Sequence, residues 1–263
     1  MIKVQDLRVS FDGTEVLSDV SLKIEDCEVV ALIGGSGAGK SVLLKCMAGL
    51  LRPDRGKVYF NSRDITRLSR ERLKKLREKF GFLFQSGALF GSMTVYDNVA
   101  LPLREKTSLG EDGIRDKVLA ELEQVGLRGA EEKYPSQLSG GMVKRAALAR
   151  ALVQAPEIMF FDEPTTGLDP LTANSIHELI DSCHKRFNFS GVIVTHAIPE
   201  IFPVVEKVAM LHEGRIRFFG TPDEIAASTD PTVSEFIRGK VAPKRWLAAQ
   251  VVRHWGGQRR RQG

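Results

Sequence analysis

Apolar stretches of two kinds alternate along this chain and predict an α/β fold. Glu28–Ile33 is almost continuously apolar, as are Ile158–Phe161 and Gly191–Thr195, and such runs are typical of strands buried on both faces of a parallel sheet. Lys40–Leu51 instead repeats apolar residues at helical spacing, with Leu43, Leu44, Met47 and Leu50 on one face that we expect to be buried. We therefore predict buried parallel strands, with a helix that follows the first of them after a glycine-rich turn.

Both ends of this patterned region add strands of a different type. Lys3–Phe11 and Val16–Ile24 mix β-branched and polar residues on either side of a turn at Gly13. Val208–Leu211 and Ile216–Phe219 are separated by a short turn and predict a second hairpin.

The middle of the chain has a mainly helical pattern, clearest in Arg115–Val125 and Met142–Val153. We predict one domain over residues 1–240, with a core formed by 1–85 and 156–240 and a helical subdomain at 86–155. Residues 241–263 are then a separate basic tail.

Composition places the chain among folded, water-soluble proteins. Hydrophobic residues make up 43% and charged residues 27% of its 263 residues. The three cysteines show no CxxC pairing, which indicates a reducing cytosol rather than a disulfide framework. The apolar runs fall far short of the roughly 20 residues that span a bilayer, and we expect no secretory signal. A role at a membrane would therefore require another chain.

The net charge of +5 is concentrated at one end of the chain. Residues 240–263 hold seven Lys and Arg and no acid, which leaves 31 basic against 33 acidic residues in 1–239. A nucleic-acid-binding domain carries its basic patch on the folded body, so we expect no nucleic acid partner.

The glycine-rich turn matches the phosphate-binding loop G-x-x-x-x-G-K-[ST]. Its residues are Gly34, Gly35, Ser36, Gly37, Ala38, Gly39, Lys40 and Ser41. Glycines allow backbone N–H groups to approach phosphate oxygens, and the helix start adds positive charge. We expect Lys40 to bind the β- and γ-phosphates of a nucleotide and Ser41 to bind Mg²⁺, which leaves kinases, GTPases and ATPases open. The alternative is a chance glycine turn before a helix.

Two acids follow the apolar strand Ile158–Phe161. Asp162 lies at the carboxyl end of the strand, where α/β folds bind ligands, and we expect it to hold Mg²⁺. Glu163 is then placed to act as general base on the attacking water. The alternative is a pair of solvated acids at a strand end.

A second glycine-containing helix start narrows the class of nucleotide enzyme. Leu138-Ser139-Gly140-Gly141-Met142 precedes an alanine-rich helix and predicts a second anion-binding N-terminus. With this motif the sequence resembles the ATP-binding cassette (ABC) ATPases, whose signature reads LSGGQ. The resemblance covers about residues 1–240. It implies an α/β P-loop NTPase core with an N-terminal antiparallel β subdomain and an inserted α-helical subdomain.

The resemblance also implies roles for residues outside the phosphate-binding loop. Ser139 and Gly141 would contact the γ-phosphate held by a second subunit, which implies a homodimer. Gln85 would sense Mg²⁺ and the γ-phosphate, and His196 would hydrogen-bond that phosphate. The remaining nucleotide-binding positions are Phe11, which would stack on adenine, Val42 and Asp169. Taken singly, Phe11, Gln85 and His196 have structural alternatives.

Three positions depart from the family pattern. Met142 replaces the glutamine of the signature, Val42 replaces a hydroxyl residue after Ser41, and Ala197 replaces an acid after His196. None of these changes removes a group assigned to the chemistry, but Val42 and Met142 put ATP affinity and rate in question.

A finer resemblance lies in the insertion. Phe84–Phe90, Thr94–Ala100 and Pro102–Glu105 are similar to the ATPase subunit of the Mla-type phospholipid transporters. This resemblance implies integral-membrane permease subunits, an accessory cytoplasmic subunit, a lipid-binding component and a peripheral location on the cytoplasmic face of the inner membrane. An apolar cluster beside Gln85 is expected either to receive a partner helix or to pack the small core of the insertion. Its members are Ala88, Leu89, Phe90, Met93 and Val95.

Two other functions stay open at this point. A transporter for another solute would carry the same motifs, because the ATPase never touches the cargo. A soluble ABC ATPase of DNA repair, chromosome organisation or translation is disfavoured by the single cassette and the acidic body. The spacing of apolar residues in the tail predicts a short amphipathic helix at 244–255. Three interpretations of the tail stay open: a disordered end, an anchor on a membrane surface, and an arm docked on the partner ATPase or an accessory protein, of which we favour docking.

Overall fold

The computed structural model describes residues 1–240, and the tail with its predicted helix lies outside the described residues. The strands are β1 (Ile2–Phe11), β2 (Thr14–Ile24), β3 (Val29–Ile33), β4 (Arg55–Phe60), β5 (Arg63–Asp64), β6 (Phe80–Leu83), β7 (Ile158–Asp162), β8 (Ser190–Val194), β9 (Lys207–His212) and β10 (Arg215–Gly220). The helices are α1 (Lys40–Met47), α2 (Arg70–Arg77), α3 (Val95–Lys106), α4 (Glu111–Gln124), α5 (Gly140–Leu152), α6 (Pro170–Phe187), α7 (Pro222–Ala226) and α8 (Pro231–Lys240).

The first strands form an antiparallel sheet in the order β2-β1-β4-β5. Phe11 pairs with Thr14 across the turn at Gly13, and Ile2 pairs with Ile24 at the far end of the hairpin. Side chains alternate between buried and exposed along β1, because one face of this sheet covers the core and the other meets solvent.

The second sheet has six strands in the order β10-β9-β3-β8-β7-β6. Its strands run parallel except β10, which pairs antiparallel with β9. In β3, Val30 and Leu32 join a core with the antiparallel sheet and α1, whereas Val29 and Ala31 join a core with α5 and α6. Burial on both faces explains the continuous apolar sequence, and the predicted α/β fold class is confirmed.

Helices α3, α4 and α5 pack around a third core. The pattern predicted α4 and α5 closely but did not single out α3, which contains Pro102. A cap defines the start of α3: the Asp97 N–H donates to the Thr94 hydroxyl at 3.1 Å. Tertiary packing of Val95, Val99 and Leu103 then stabilises α3 despite the proline.

The helix after the phosphate-binding loop is shorter than predicted. It ends at Met47 rather than Leu51, because Gly49 adopts a left-handed φ of 64°. Leu50, expected on the buried face, is therefore exposed. Among the described residues, none of the helices has the length and the apolar character needed to cross a membrane.

Candidate nucleotide site

The phosphate-binding loop connects β3 to α1 at the carboxyl edge of the large sheet. Gly34 has a φ of 149°, and a Cβ there would lie 2.2 Å from the carbonyl oxygen of Leu211. Gly39, the residue before α1, has a φ of 98°. A side chain fits at neither position, so glycine is required for the loop to turn its backbone inward.

Two polar side chains at the start of α1 form hydrogen bonds with the loop and with the end of β7. The Lys40 ammonium is buried and donates to the carbonyl oxygens of Gly34 at 3.0 Å and Gly35 at 2.9 Å. The Ser41 hydroxyl donates to Oδ1 of Asp162 at 3.1 Å. The structure thus places a cation inside the loop and a hydroxyl beside a carboxylate.

Glu163 occupies an unusual backbone conformation directly after β7. Its φ of 52° lies in the left-handed region, which costs a residue with a side chain about 1 kcal/mol or more. Its N–H donates to the carbonyl oxygen of Val194 at 2.9 Å, which anchors the turn to β8. Strain of this kind persists where the surrounding structure holds it and is frequent at functional sites.

The carboxylate of Glu163 is held by two neighbours. Oε1 lies 3.2 Å from Nε2 of His196, and Oε2 accepts a hydrogen bond from the Thr166 hydroxyl at 3.1 Å. His196 follows β8, which is the strand next to β7. The predicted base and the predicted phosphate-contacting histidine are therefore in direct contact.

A cleft of about 400 Å³ joins these groups. It is lined by Val16, Ser36, Gly37, Ala38, Gly39, Lys40, Ser41, Val42, Gln85, Glu163, Thr166 and His196. Gln85 reaches the cleft because β6 ends at the same sheet edge as β3, β7 and β8. A larger cavity of about 510 Å³ lies between α1 and α2, but it contains none of the predicted site residues.

Two lining residues were not predicted from the sequence. Val16 comes from β2, and no chemical motif marks it. Thr166 follows Glu163 by three residues, and a hydroxyl so close to the predicted base could have indicated a hydrogen-bonding partner for it. Both are brought in by the packing of the hairpin and by the turn after β7.

Besides Gly34 and Gly35 at the start of the loop, four predicted nucleotide-binding residues lie outside the lining of this cleft. Phe11 is 46% exposed at the end of β1. The Ser139 hydroxyl caps α5 by accepting from the Met142 N–H at 3.3 Å. Gly141 lies where α5 approaches α6, since a Cβ there would be 2.6 Å from Thr172.

Asp169 caps α6 within its own chain. Its Oδ1 accepts from the N–H groups of Leu171 at 3.1 Å and Thr172 at 3.0 Å. The hydrogen bonds from Thr172 hold the pKa of the carboxyl below its ordinary value. Ser139, Gly141 and Asp169 thus have structural roles within a single chain, and their contact with nucleotide stays a prediction.

The loop, the acid pair and the sheet edge define a P-loop nucleotide-binding protein of the α/β class. The family described as "ABC transporter" matches residues 17–166, and the chain belongs to this family. It is an ATPase that binds and hydrolyses ATP.

Similar proteins extend the match along the chain. The intermembrane phospholipid transport system ATP-binding protein MlaF of Escherichia coli K12 is 38% identical over 239 residues, which cover 91% of this chain and 89% of that protein. The probable ribonucleotide transport ATP-binding protein mkl of Mycobacterium tuberculosis H37Rv is 44% identical, covering 91% and 67% of the two chains.

Two solved structures share the fold over nearly their whole length. A dimeric ATP-binding cassette in a post-hydrolysis state with ADP and phosphate superposes with a TM-score of 0.78 at 30% identity, covering 84% of this chain and 98% of that chain. The protein cbiO1 of Clostridium perfringens, part of an ABC transporter complex, gives 0.81 at 33% identity, with coverage of 94% and 98%.

Proposed function

We propose that this chain is the ATPase subunit of a phospholipid transporter and that it works as a homodimer on a separate membrane permease. The MlaF relatives from Haemophilus influenzae and Escherichia coli, at 39% and 38% identity over 91% of this chain, support the lipid cargo. The dimeric cassette among the structural neighbours supports the homodimer.

The contact of Glu163 with His196 and Thr166 beside the phosphate-binding loop carries the hydrolytic assignment. Glu163 accepts the proton of the attacking water, and its two neighbours hold the carboxylate toward the cleft. Lys40 binds the β- and γ-phosphates, and His196 donates a hydrogen bond to the γ-phosphate. The remaining loop residues supply backbone N–H groups.

The side chains of Ser41 in α1 and Asp162 in β7 are suitable ligands for Mg²⁺. Ser41 and Asp162 bring a hydroxyl and a carboxylate oxygen within 3.1 Å of each other, and Mg²⁺ prefers such hard oxygen ligands. We assign these two residues and the amide oxygen of Gln85 to the metal. When bound, Mg²⁺ neutralises charge on the phosphates.

A second copy of the chain completes each nucleotide site in this proposal. Ser139 and Gly141 lie at the N-terminus of α5, where backbone N–H groups and the helix dipole favour an anion. They bind the γ-phosphate held by the loop of the partner, and Asp169 is assigned to nucleotide binding as well. Phe11 stacks on adenine, which its exposure permits.

The permease binds, in this proposal, the exposed part of the apolar cluster that follows Gln85. Leu89 and Val95 pack into the cores, whereas Phe90 is 50% exposed and Ala88 is also exposed. The buried Asn98 amide fixes the segment, since its Oδ1 accepts from the Phe90 N–H at 2.8 Å. A rigid loop that presents an exposed aromatic side chain is suited to receive a partner helix.

The cargo is the point on which the relatives disagree. The mkl proteins are named for ribonucleotide transport and are more identical to this chain than the MlaF proteins. The MlaF proteins match it over nearly their whole length, which supports lipid, with ribonucleotide as the second candidate. A peripheral location on the cytoplasmic membrane face, an accessory cytoplasmic subunit and a lipid-binding component belong to the same proposal.

Co-purification from detergent-solubilised membranes tests the assembly and the cargo together. Mass spectrometry should identify a bound permease and co-purifying phospholipid. In the reconstituted complex, phospholipid rather than ribonucleotide should change the rate of phosphate release. A complex carrying Lys40→Ala is the control, since it should retain permease and lipid without hydrolysis. Stimulation by ribonucleotide alone would overturn the lipid assignment.

A further inference from the structure

Two cations of α5 bind the backbone of the loop that carries Gln85. The Lys144 ammonium donates to the carbonyl oxygen of Gln85. The Arg150 guanidinium donates to the carbonyl oxygens of Gly87 at 2.9 Å and Ala88 at 2.8 Å. Charge-assisted hydrogen bonds of this kind are stronger than neutral ones. Three of the four backbone carbonyls of residues 85–88 are therefore held by one helix.

The loop also packs directly on α5, and two of its residues have left-handed backbone conformations. Gly87 and Ala88 have φ values of 76° and 48°, both left-handed. A Cβ at Gly87 would lie 2.9 Å from Val143, one residue before Lys144. The left-handed backbone of Ala88 costs free energy, and the hydrogen bonds from Arg150 offset that cost.

Lys144 also interacts electrostatically with Glu163, the proposed base. It is 5% exposed, and burial lowers the pKa of its ammonium, whereas the charge of Glu163 raises that pKa. A buried ammonium is costly unless it is hydrogen-bonded and faces negative charge. The Gln85 carbonyl accepts that hydrogen bond, and Glu163 supplies the negative charge.

The same helix begins at the signature residues. Ser139 caps α5 and Arg150 lies eleven residues later, about 16 Å away along the helix axis at 1.5 Å per residue. Because the Gln85 loop is bound to α5 at Lys144 and Arg150, a displacement of the helix start moves the loop as well.

We propose that Lys144 and Arg150 are positioning residues that bind the Gln85 loop to α5, so that Ser139 and Gln85 move as one unit. The inference rests on the proposed role of Gln85 at the nucleotide and metal. In the proposed dimer, Ser139 serves the site of the partner and Gln85 serves the site of its own chain. The two cations then transmit the state of one nucleotide site to the other.

Arg150 offers the cleaner test, because the charge of Glu163 also acts on Lys144. Arg150→Gln should lower kcat about tenfold with KM within about twofold, since the loop loses its charged hydrogen bonds while the phosphate-binding loop is untouched. Arg150→Lys keeps the positive charge but loses the second N–H donor of the guanidinium, so its kcat should lie between those of Arg150→Gln and the wild type. It also provides the test if Arg150→Gln does not fold. Backbone hydrogen exchange at residues 85–88 of the full chain should accelerate in both variants.

Arg145 is the matched control on the same helix. Its guanidinium donates to the carbonyl oxygen of Val125 at 2.7 Å and to the Ser175 hydroxyl at 3.2 Å, away from the Gln85 loop. Arg145→Gln should leave kcat within about twofold and the exchange of 85–88 unchanged, whatever it does to stability. An equal loss of kcat in Arg145→Gln and Arg150→Gln would mean that Arg150 only stabilises the helix, which overturns the inference.

A double-mutant cycle with Gln85→Ala separates the inference from the proposed function. If Arg150 acts through Gln85, the double variant should be no slower than Gln85→Ala alone. Multiplied losses would overturn the inference. Wild-type turnover of Gln85→Ala would overturn the proposed role of Gln85 itself. If Gln85→Ala is slow but Arg150→Gln has wild-type turnover and unchanged hydrogen exchange at residues 85–88, the inference is overturned while the proposed role of Gln85 stands.

Discussion

His177 should make the stability of this protein depend on pH in a way that can be worked out from the structure. The residue lies on α6 and is 3% exposed, and neither ring nitrogen has a hydrogen-bond partner within the described residues. It lines a cavity of about 280 Å³ that also contacts Glu163, His196 and Glu200. Burial lowers the pKa of the imidazole to about 4 from its ordinary value of 6.5, although the charge of Glu200 opposes the shift.

The sign of the effect follows from these two pKa values. Between pH 6.5 and about 4 the unfolded chain binds a proton on His177 that the folded chain does not bind. Stability is therefore complete above pH 6.5 and is lost as the pH falls toward 4. The difference between the two pKa values corresponds to about 3 kcal/mol in the free energy of unfolding, most of it lost by pH 4.5. At pH 7 the neutral ring contributes no hydrogen bond, so replacement by Leu should cost little.

Urea unfolding at pH 7.5 and pH 4.5 measures this contribution. The free energy of unfolding should fall by about 2 to 3 kcal/mol more in the wild type than in His177→Leu, because the other titrating groups are common to both. His177→Phe provides a second variant of suitable shape. His212→Asn, which changes an exposed histidine, is the control and should behave as the wild type. An equal loss in the wild type and both His177 variants would refute the reasoning.

Three further predictions concern the nucleotide site. Lys40→Ala should lower phosphate release about a hundredfold or more, because the β- and γ-phosphates lose their cation, and wild-type turnover would contradict the phosphate-binding assignment. Glu163→Gln should retain ATP binding, since an amide can still accept from Thr166, but should slow hydrolysis by about 10² to 10⁴ and accumulate as an ATP-bound dimer. If the Glu163→Gln variant elutes only as a monomer in size-exclusion chromatography with ATP, that result would count against a nucleotide site shared between two chains. Ser139→Arg mixed with Lys40→Ala should recover phosphate release above either variant alone, because one composite site is intact, whereas no recovery would argue against sites formed between chains.

Local features of the chemistry were predictable from the sequence. A glycine-rich turn between a buried strand and a helix must form a tight backbone loop wherever it occurs, so Gly34–Ser41 could be assigned without tertiary information. The acids after the apolar strand were predictable for a similar reason, because a strand buried on both faces can place polar residues only at its ends. The fold class followed from the same alternation of buried strands and amphipathic helices.

Contacts between distant segments were decided by tertiary structure. The Ser41–Asp162 hydrogen bond joins residues 121 positions apart, and it exists because β3 and β7 flank β8 in the sheet. Strand order leaves no periodic trace in the sequence. The end of α1 also depended on packing, since the exposure of Leu50 follows from the turn at Gly49.

The clearest case is the pair of cations on α5. By sequence, Lys144 and Arg150 belong to an alanine-rich helix and would be taken for solvent-facing charges. Their partners are carbonyl oxygens 59 to 63 positions earlier, on a loop with left-handed backbone. A backbone carbonyl carries no side-chain identity, so a hydrogen bond to it cannot be read from residue types. Residue types and their spacing thus predict the groups that bind nucleotide, whereas the contacts that hold those groups in place arise from strand order and helix packing.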